Sequence, residues 1–347
     1  MADVDVAVVG AGIMGAATAW WLARSGAEVV LVERFAIGHP HGSSHGRSRI
    51  FRLSYPDAPH VAMAQEALPL WRELEAEAGA TLLERGGGLD TGAGLEERAQ
   101  ALTACGARFE LLDREAVARR FPSVSLPEGR AALHQPDGAV IHAERAWHAL
   151  AHVARARGAR LVEGTRVLDV RAEGGLAVLR TADGVLHARV AVVTAGGWAR
   201  SLLAPSGVDL PTITTRETVA YAALGGGPPP TLVEWADDGA FYALPSPGEG
   251  LKAGRHRATH AVDPDTDAAV DTEEVERIAA WLAERFPAAA PAAHRAETCL
   301  YTNTADEGFI LERHGPLVVG SACSGHGFKF APLIGRRLAA LAAADLP

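Results

Sequence analysis

Val4-Asp5-Val6-Ala7-Val8-Val9, then Gly10-Ala11-Gly12-Ile13-Met14-Gly15, then an alanine-rich stretch to Arg24 and a second apolar run from Glu28 to Glu33, is the passage on which the fold turns. The apolar run before Gly10 predicts a strand buried on both faces, as in a parallel sheet. The pattern after Gly15 predicts a helix and the run to Glu33 a second strand, so the chain opens on a βαβ unit. Gly10, Gly12 and Gly15 fit GxGxxG between that strand and that helix. The first glycine permits a tight turn and the second lets backbone approach a pyrophosphate at the helix N-terminus. The third allows helix and strand to pack closely. Glu33 ends the second strand, where a carboxylate can hold a ribose hydroxyl. A dinucleotide is therefore the expected ligand.

Outward from this unit, the pattern predicts helices over Pro59–Glu77, His142–Arg157, Thr272–Phe286 and Ala331–Ala343. Strands and short helices are expected to alternate from Thr81 to Gln135. A buried strand, Val190–Thr194, runs into Ala195-Gly196-Gly197-Trp198, and Leu317–Val319 is another short apolar strand. Thr212–Leu224, Leu232–Trp235, Phe241–Leu244 and Leu251–Gly254 read as sheet, with Gly225–Pro230 as a loop. Three features favour FAD over NAD: the fingerprint opens the chain, a Gly-rich turn surrounds Gly196, and Gly320 to Gly327 precedes the last helix, whose N-terminus can face an anionic flavin edge.

With 347 residues the chain suits two intertwined domains. A net charge of −9 gives no electrostatic case for nucleic acid or an anionic membrane. Three scattered cysteines, Cys105, Cys299 and Cys323, without CxxC pairs, argue against a disulfide framework or structural zinc. The histidines His39, His41, His45 and His60 show no zinc-ligand spacing, and no metal is expected. The apolar N-terminal stretch lacks a basic region and carries Asp3 and Asp5, so it does not read as a signal peptide; the expected location is cytoplasmic. Only Lys252 and Lys329 are lysines among 33 basic residues. A lysine's pKa shifts readily on burial, which a guanidinium cannot imitate, so these two positions are candidates for work specific to lysine.

Several motifs then fall in one order: Gly10 to Gly15; Gly42-Ser43-Ser44-His45-Gly46 with Arg49 and Arg52; Gly250-Leu251-Lys252 with His256; Cys299-Leu300-Tyr301-Thr302; and Ser324-Gly325-His326-Gly327-Phe328-Lys329-Phe330. On these residues the chain resembles, nearly end to end, the monomeric sarcosine oxidase and N-methyltryptophan oxidase family of FAD-dependent amine oxidases. The resemblance implies an α/β (mixed α+β) fold: a Rossmann-like FAD-binding domain of the glutathione-reductase type, with an inserted antiparallel-sheet substrate domain. Residues 1–80, 140–213 and 300–347 are expected to form the first, and 81–139 and 214–299 the second. It implies a flavin attached through Cys299, a substrate carboxylate between Arg52 and Lys329, and Lys252 assisting oxygen reduction. His45, Arg49, Tyr242, His256 and Tyr301 are further candidates for the reaction site. The cofactor site is expected to take in Gly10, Gly12, Ile13, Met14, Gly15, Glu33, Arg34, Ser43, Ser44, His45, Arg49, Val167, Gly196, Trp198, Cys299, Gly325, His326, Gly327, Phe328 and Lys329.

Each role has a bland counterpart. Arg52 in a basic loop reads equally as a structural arginine, Lys329 as a surface lysine, and Cys299 as a core cysteine. The expected activity is oxidation of a small secondary or N-methyl amino acid to an imine, with O₂ reduced to hydrogen peroxide and the imine hydrolysed. The expected protein is a monomer, with the amino acid and O₂ as its partners. Alternatives on the same architecture are a primary amino-acid oxidase of the glycine or D-amino-acid type and a flavin amine dehydrogenase; from another class, a non-catalytic NAD-responsive binding module.

Overall fold

The computed structural model describes residues 1–237, 239–256, 260–267, 269–344 and 346. Val4–Val9 lies at the centre of the first sheet, between Val29–Val32 and Gly184–Val193, both parallel to it. Its burial on both faces explains the uninterrupted apolar run. Arg160–Val162 extends the sheet beyond Val29–Val32. The strand expected over Val190–Thr194 is the end of a ten-residue strand, Gly184–Val193. Its first half pairs antiparallel with Leu176–Thr181, and its last residues pair parallel with Leu317–Ser321. The mixed polarity of its exposed first half hid it from a search for apolar runs.

Three helices cover one face. Ile13–Arg24 packs on Ala331–Ala343, whose Gly335 faces Ala17 so closely that a Cβ there would sit 2.6 Å from the Ala17 backbone. Ala143–Ala156 lies on its other flank, and Trp147 donates its indole N–H to the Ala11 carbonyl at 2.6 Å. The longer helix Ala58–Ala78 carries Trp71, which donates to the Lys329 carbonyl at 2.7 Å. One core thus positions both the glycine turn and the segment bearing Lys329.

The second sheet has eight strands, in the order Arg295–Asn303, Ile213–Ala222, Gly250–His256, Gly239–Ser246, Thr231–Ala236, Gly88–Gly92, Ala131–Gln135 and Glu110–Asp113. All neighbours are antiparallel except Thr231–Ala236 with Gly88–Gly92. The boundary expected between residues 299 and 300 falls inside the edge strand Arg295–Asn303, which pairs along its length with Ile213–Ala222. Strand alternation sorts this sheet's side chains. Ala220, Ala222, Leu232, Ala243, Leu251 and Ala253 face the amphipathic helix Thr272–Arg285. Trp235, Tyr242, Lys252, His256, Cys299 and Tyr301 face the other way, into a cavity shared with the first sheet. Among the described residues no helix is long and apolar enough to cross a membrane.

Candidate active site

At the nucleotide end the glycines do what the spacing asks. Gly10 takes φ +92, and a Cβ on Gly15 would overlap the Gly10 carbonyl, so no side chain fits between strand and helix. Gly12 leaves the helix N-terminus open, and Ser44 Oγ accepts from the Ile13 N–H at 2.9 Å, folding the 42–46 loop over the first turn. Glu33 is buried and accepts from the Ala11 N–H at 2.7 Å and the Phe35 N–H at 2.9 Å. Burial raises its pKa against those hydrogen bonds. Arg34 lies over the Phe35 and Trp198 rings and pairs with Asp265, which also accepts from the Trp198 indole at 2.7 Å. Val167, Gly196, Met14 and Ser43 line the same cavity. This cradle of glycines, open helix end and buried carboxylate fits the diphosphate and ribose of a dinucleotide.

The cavity, about 590 Å³, continues past Cys299 to the lysines. Cys299 is buried, with Sγ 3.9 Å from the Ser43 carbonyl and 3.7 Å from that of Leu300, and burial pushes its thiol pKa up. Arg49 is fixed by the carbonyls of Ser43 (2.9 Å), His45 (2.7 Å) and Ser48 (2.9 Å), with its guanidinium over Phe328. Lys252 is buried beside Arg49 and Glu297; burial first, then the Arg49 charge, pull its pKa down to about 7.

Lys329 and Arg52 converge on Tyr55. Lys329 Nζ donates to the Tyr55 hydroxyl at 2.9 Å and the His326 carbonyl at 2.6 Å, while the Arg52 guanidinium carbon lies 4.1 Å from the centre of the Tyr55 ring. Both are buried, and burial together with Arg52 drives the Lys329 pKa well below the lysine range. His326 bridges the Tyr55 hydroxyl (3.2 Å) and the Glu307 carbonyl (3.0 Å). Burial and the Lys329 charge bring its pKa to about 3, leaving a neutral ring. His256 pairs with Glu307 at 3.0 Å, and the hydroxyls of Tyr242 and Tyr301 adjoin each other. Gly325, at φ +72, lies against Tyr301 and His256, where any side chain would collide.

Most of the expected residues therefore meet in one cavity. Gly15 supports it from behind, through its packing on Gly10. His45 does not line it: the ring is buried with Nδ1 2.9 Å from the Gly42 carbonyl, and burial and Arg49 lower its pKa to about 4. That bond braces the 42–46 loop and leaves the His45 ring near Arg49, Glu297 and Lys252. Tyr55, His60, Arg98, Trp235 and Glu307 line the cavity without having been singled out in the sequence for chemistry. Strand parity signals Trp235, two residues from cavity-facing Val233, whereas Arg98 beside Glu96 and Glu97 looks like a solvated helix face.

The family description "FAD dependent oxidoreductase" matches residues 5–341. This chain belongs to that family. It is an FAD-dependent oxidoreductase of mixed α/β fold. It is 34% identical to the human peroxisomal sarcosine oxidase, over 96% of this chain and 90% of that protein. It is 33% identical to the monomeric sarcosine oxidase of Bacillus sp. strain B-0618, over 97% and 92% of the two chains. Its fold is similar to that of NikD, described as an unusual amino acid oxidase essential for nikkomycin biosynthesis, with TM-score 0.90, 28% identity and coverage of 100% and 95%.

The lysine environment has a measurable consequence. Lys252 in the folded chain has a pKa of about 7, against about 10.4 when exposed. Below the lower value both states hold the proton and the cost of burying it is fully present. Between the two values the unfolded chain binds more protons, so stability rises with pH until the cost is gone. Lys252→Met removes this dependence. In cofactor-free protein, its gain in thermal stability over wild type is expected to be larger at about pH 6 than at about pH 9. An offset independent of pH would contradict the buried, depressed lysine.

Proposed function

We propose that this oxidoreductase oxidises the C–N bond of a small secondary or N-methyl amino acid, using O₂ as acceptor and forming hydrogen peroxide. The observation that carries this reading is the buried Arg52–Tyr55–Lys329 cluster, in the same cavity as the dinucleotide cradle. Buried cations need an anion, and an amino acid's carboxylate supplies one. The names of the sarcosine oxidases that the chain resembles support the N-methyl substrate, and "monomeric" in one of them supports a monomer.

Arg52 and Lys329 hold the carboxylate, which sets the position of the amine and its neighbouring carbon. Tyr55, bonded to Lys329 and His326, keeps the ammonium aimed at that carboxylate. FAD, which the glycine turn and Glu33 would hold, would supply the two-electron acceptor for the hydrogen of the substrate carbon and the route of those electrons to O₂, and the imine product would hydrolyse in water. Lys252 and Arg49 supply positive charge where oxygen acquires negative charge; a preorganised cation stabilises such a charge better than water does.

Cys299 is the thiol we assign to a thioether with the flavin. With FAD bound, Cys299 would exchange its S–H for an S–C bond at a flavin C–H carbon, a two-electron oxidation for which O₂ would be the acceptor. Acid precipitation is expected to leave the yellow colour in the protein pellet and, for Cys299→Ala, in the supernatant. Colour released from the wild type would remove the link.

The activity is tested with a panel of N-methyl and unsubstituted amino acids and peroxide detection. Sarcosine-like substrates are expected to be favoured, and Lys329→Met to lower kcat/KM by about 2–5 kcal/mol, as for loss of one partner of a buried charge pair. Turnover of only primary amino acids, or only with an added electron carrier, would contradict the reading.

A further inference from the structure

Behind the Arg52 cluster lies a second buried cation that the reaction described above does not use. Arg98, on the helix Leu95–Ala104, is 5% exposed and lines the cavity. Its Nη1 is committed to the carbonyls of Ala93 (3.1 Å) and Gly94 (2.7 Å). Its Nε is buried without a hydrogen-bond partner. The nearest carboxylate, Asp90, stands 4.0 Å from Nε and is committed elsewhere, to the Trp235 indole N–H at 2.9 Å and the Ser54 hydroxyl. The Arg98 and Arg52 guanidinium carbons lie 4.0 Å and 5.2 Å from the centre of the same Trp235 ring.

The charges at this end do not balance. Arg52, Arg98 and Lys329 are buried, and Asp90 is the buried carboxylate among them. Other acids line the cavity, but Glu307 pairs with His256, Asp57 with His60, and Asp306 with the Gly308 N–H. One substrate carboxylate satisfies Arg52 and Lys329 and leaves Asp90, shared with Trp235 and Ser54, as the buried carboxylate beside Arg98. A buried guanidinium that shares its one buried carboxylate is costly, so a ligand carboxylate placed beside it gains strongly.

We propose that Arg98 reads a second acidic group on the substrate, which is an N-substituted amino acid with a carboxylate in a short side chain. This inference rests on the amine-oxidase reading above. The α-carboxylate sits between Arg52 and Lys329, and the side-chain carboxylate reaches across the Trp235 face to Arg98. Both guanidinium groups lie over one indole, and the substrate proposed for them is a four- or five-carbon dicarboxylic amino acid. Arg98 is a specificity residue in this scheme and takes no part in the bond-breaking step.

Two measurements test it. The first compares kcat/KM for N-methylaspartate and N-methylglutamate with that for N-methylalanine, in the wild type and in Arg98→Met. The acidic substrates are expected to be favoured by on the order of tenfold or more, and Arg98→Met to erase that ratio. A structural role alone would lower all three together and leave the ratio unchanged, which overturns the proposal. The second measures calorimetric binding of 2-(methylthio)succinate and (methylthio)acetate to the wild-type holoenzyme, so it depends neither on turnover nor on the variant's folding. Tighter binding of the diacid by on the order of tenfold supports Arg98 as its reader; equal or weaker binding overturns it. If no N-methyl amino acid is oxidised, the amine-oxidase reading fails separately, and the binding comparison still decides the role of Arg98.

Discussion

Burying positive charge is the constraint on which this structure turns. Arg52, Arg98, Lys252 and Lys329 are each at least nine-tenths buried around one cavity. Moving isolated ions from water into protein costs several kcal/mol apiece, so the protein must spread or shed that charge. The two arginines are stacked on Trp235 and Tyr55, and the two lysines have pKa values pulled down by burial. A lysine with a lowered pKa can regain its proton when an anion arrives, which a guanidinium cannot do. This is a physical reason for lysine at two positions in a chain whose other basic residues are all arginine.

The fold makes such a cavity by joining two sheets of different logic. The parallel strands end in glycine turns, where backbone and a helix N-terminus border the cavity. The antiparallel sheet contributes by alternation: one face packs on the Thr272–Arg285 helix and the other presents Lys252, Tyr242, Cys299 and Tyr301. The segment that carries Lys329 is tied to both. Trp71 holds its backbone from one side, and Lys329 itself bonds Tyr55 at the start of the substrate pocket.

The nucleotide half was the more legible in sequence because its determinants are local. Gly10, Gly12, Gly15 and Glu33 lie within one βαβ unit, and each has a steric or hydrogen-bonding demand that few other residues meet. The final helix, Ala331–Ala343, was legible to its ends for the same reason. The substrate half depends on long-range neighbours. Tyr55 matters because it meets His326 and Lys329, far along the chain, and Arg98 because Trp235 and Asp90 lie beside it. Neither relation leaves a trace in spacing. His45, by contrast, is tied locally, through its hydrogen bond to the Gly42 carbonyl.

The central claim is that the buried lysine and arginine await an anionic substrate group, and proton counting on binding tests it most directly. Calorimetric titration of the purified holoenzyme with an unreactive carboxylate such as (methylthio)acetate, at mildly alkaline pH and in buffers of different ionisation enthalpy, gives the protons taken up. The account predicts net proton uptake in the wild type, because the carboxylate raises the Lys329 pKa from its lowered position, and its loss in Lys329→Met. Binding with no uptake, or uptake that survives in Lys329→Met, would contradict it.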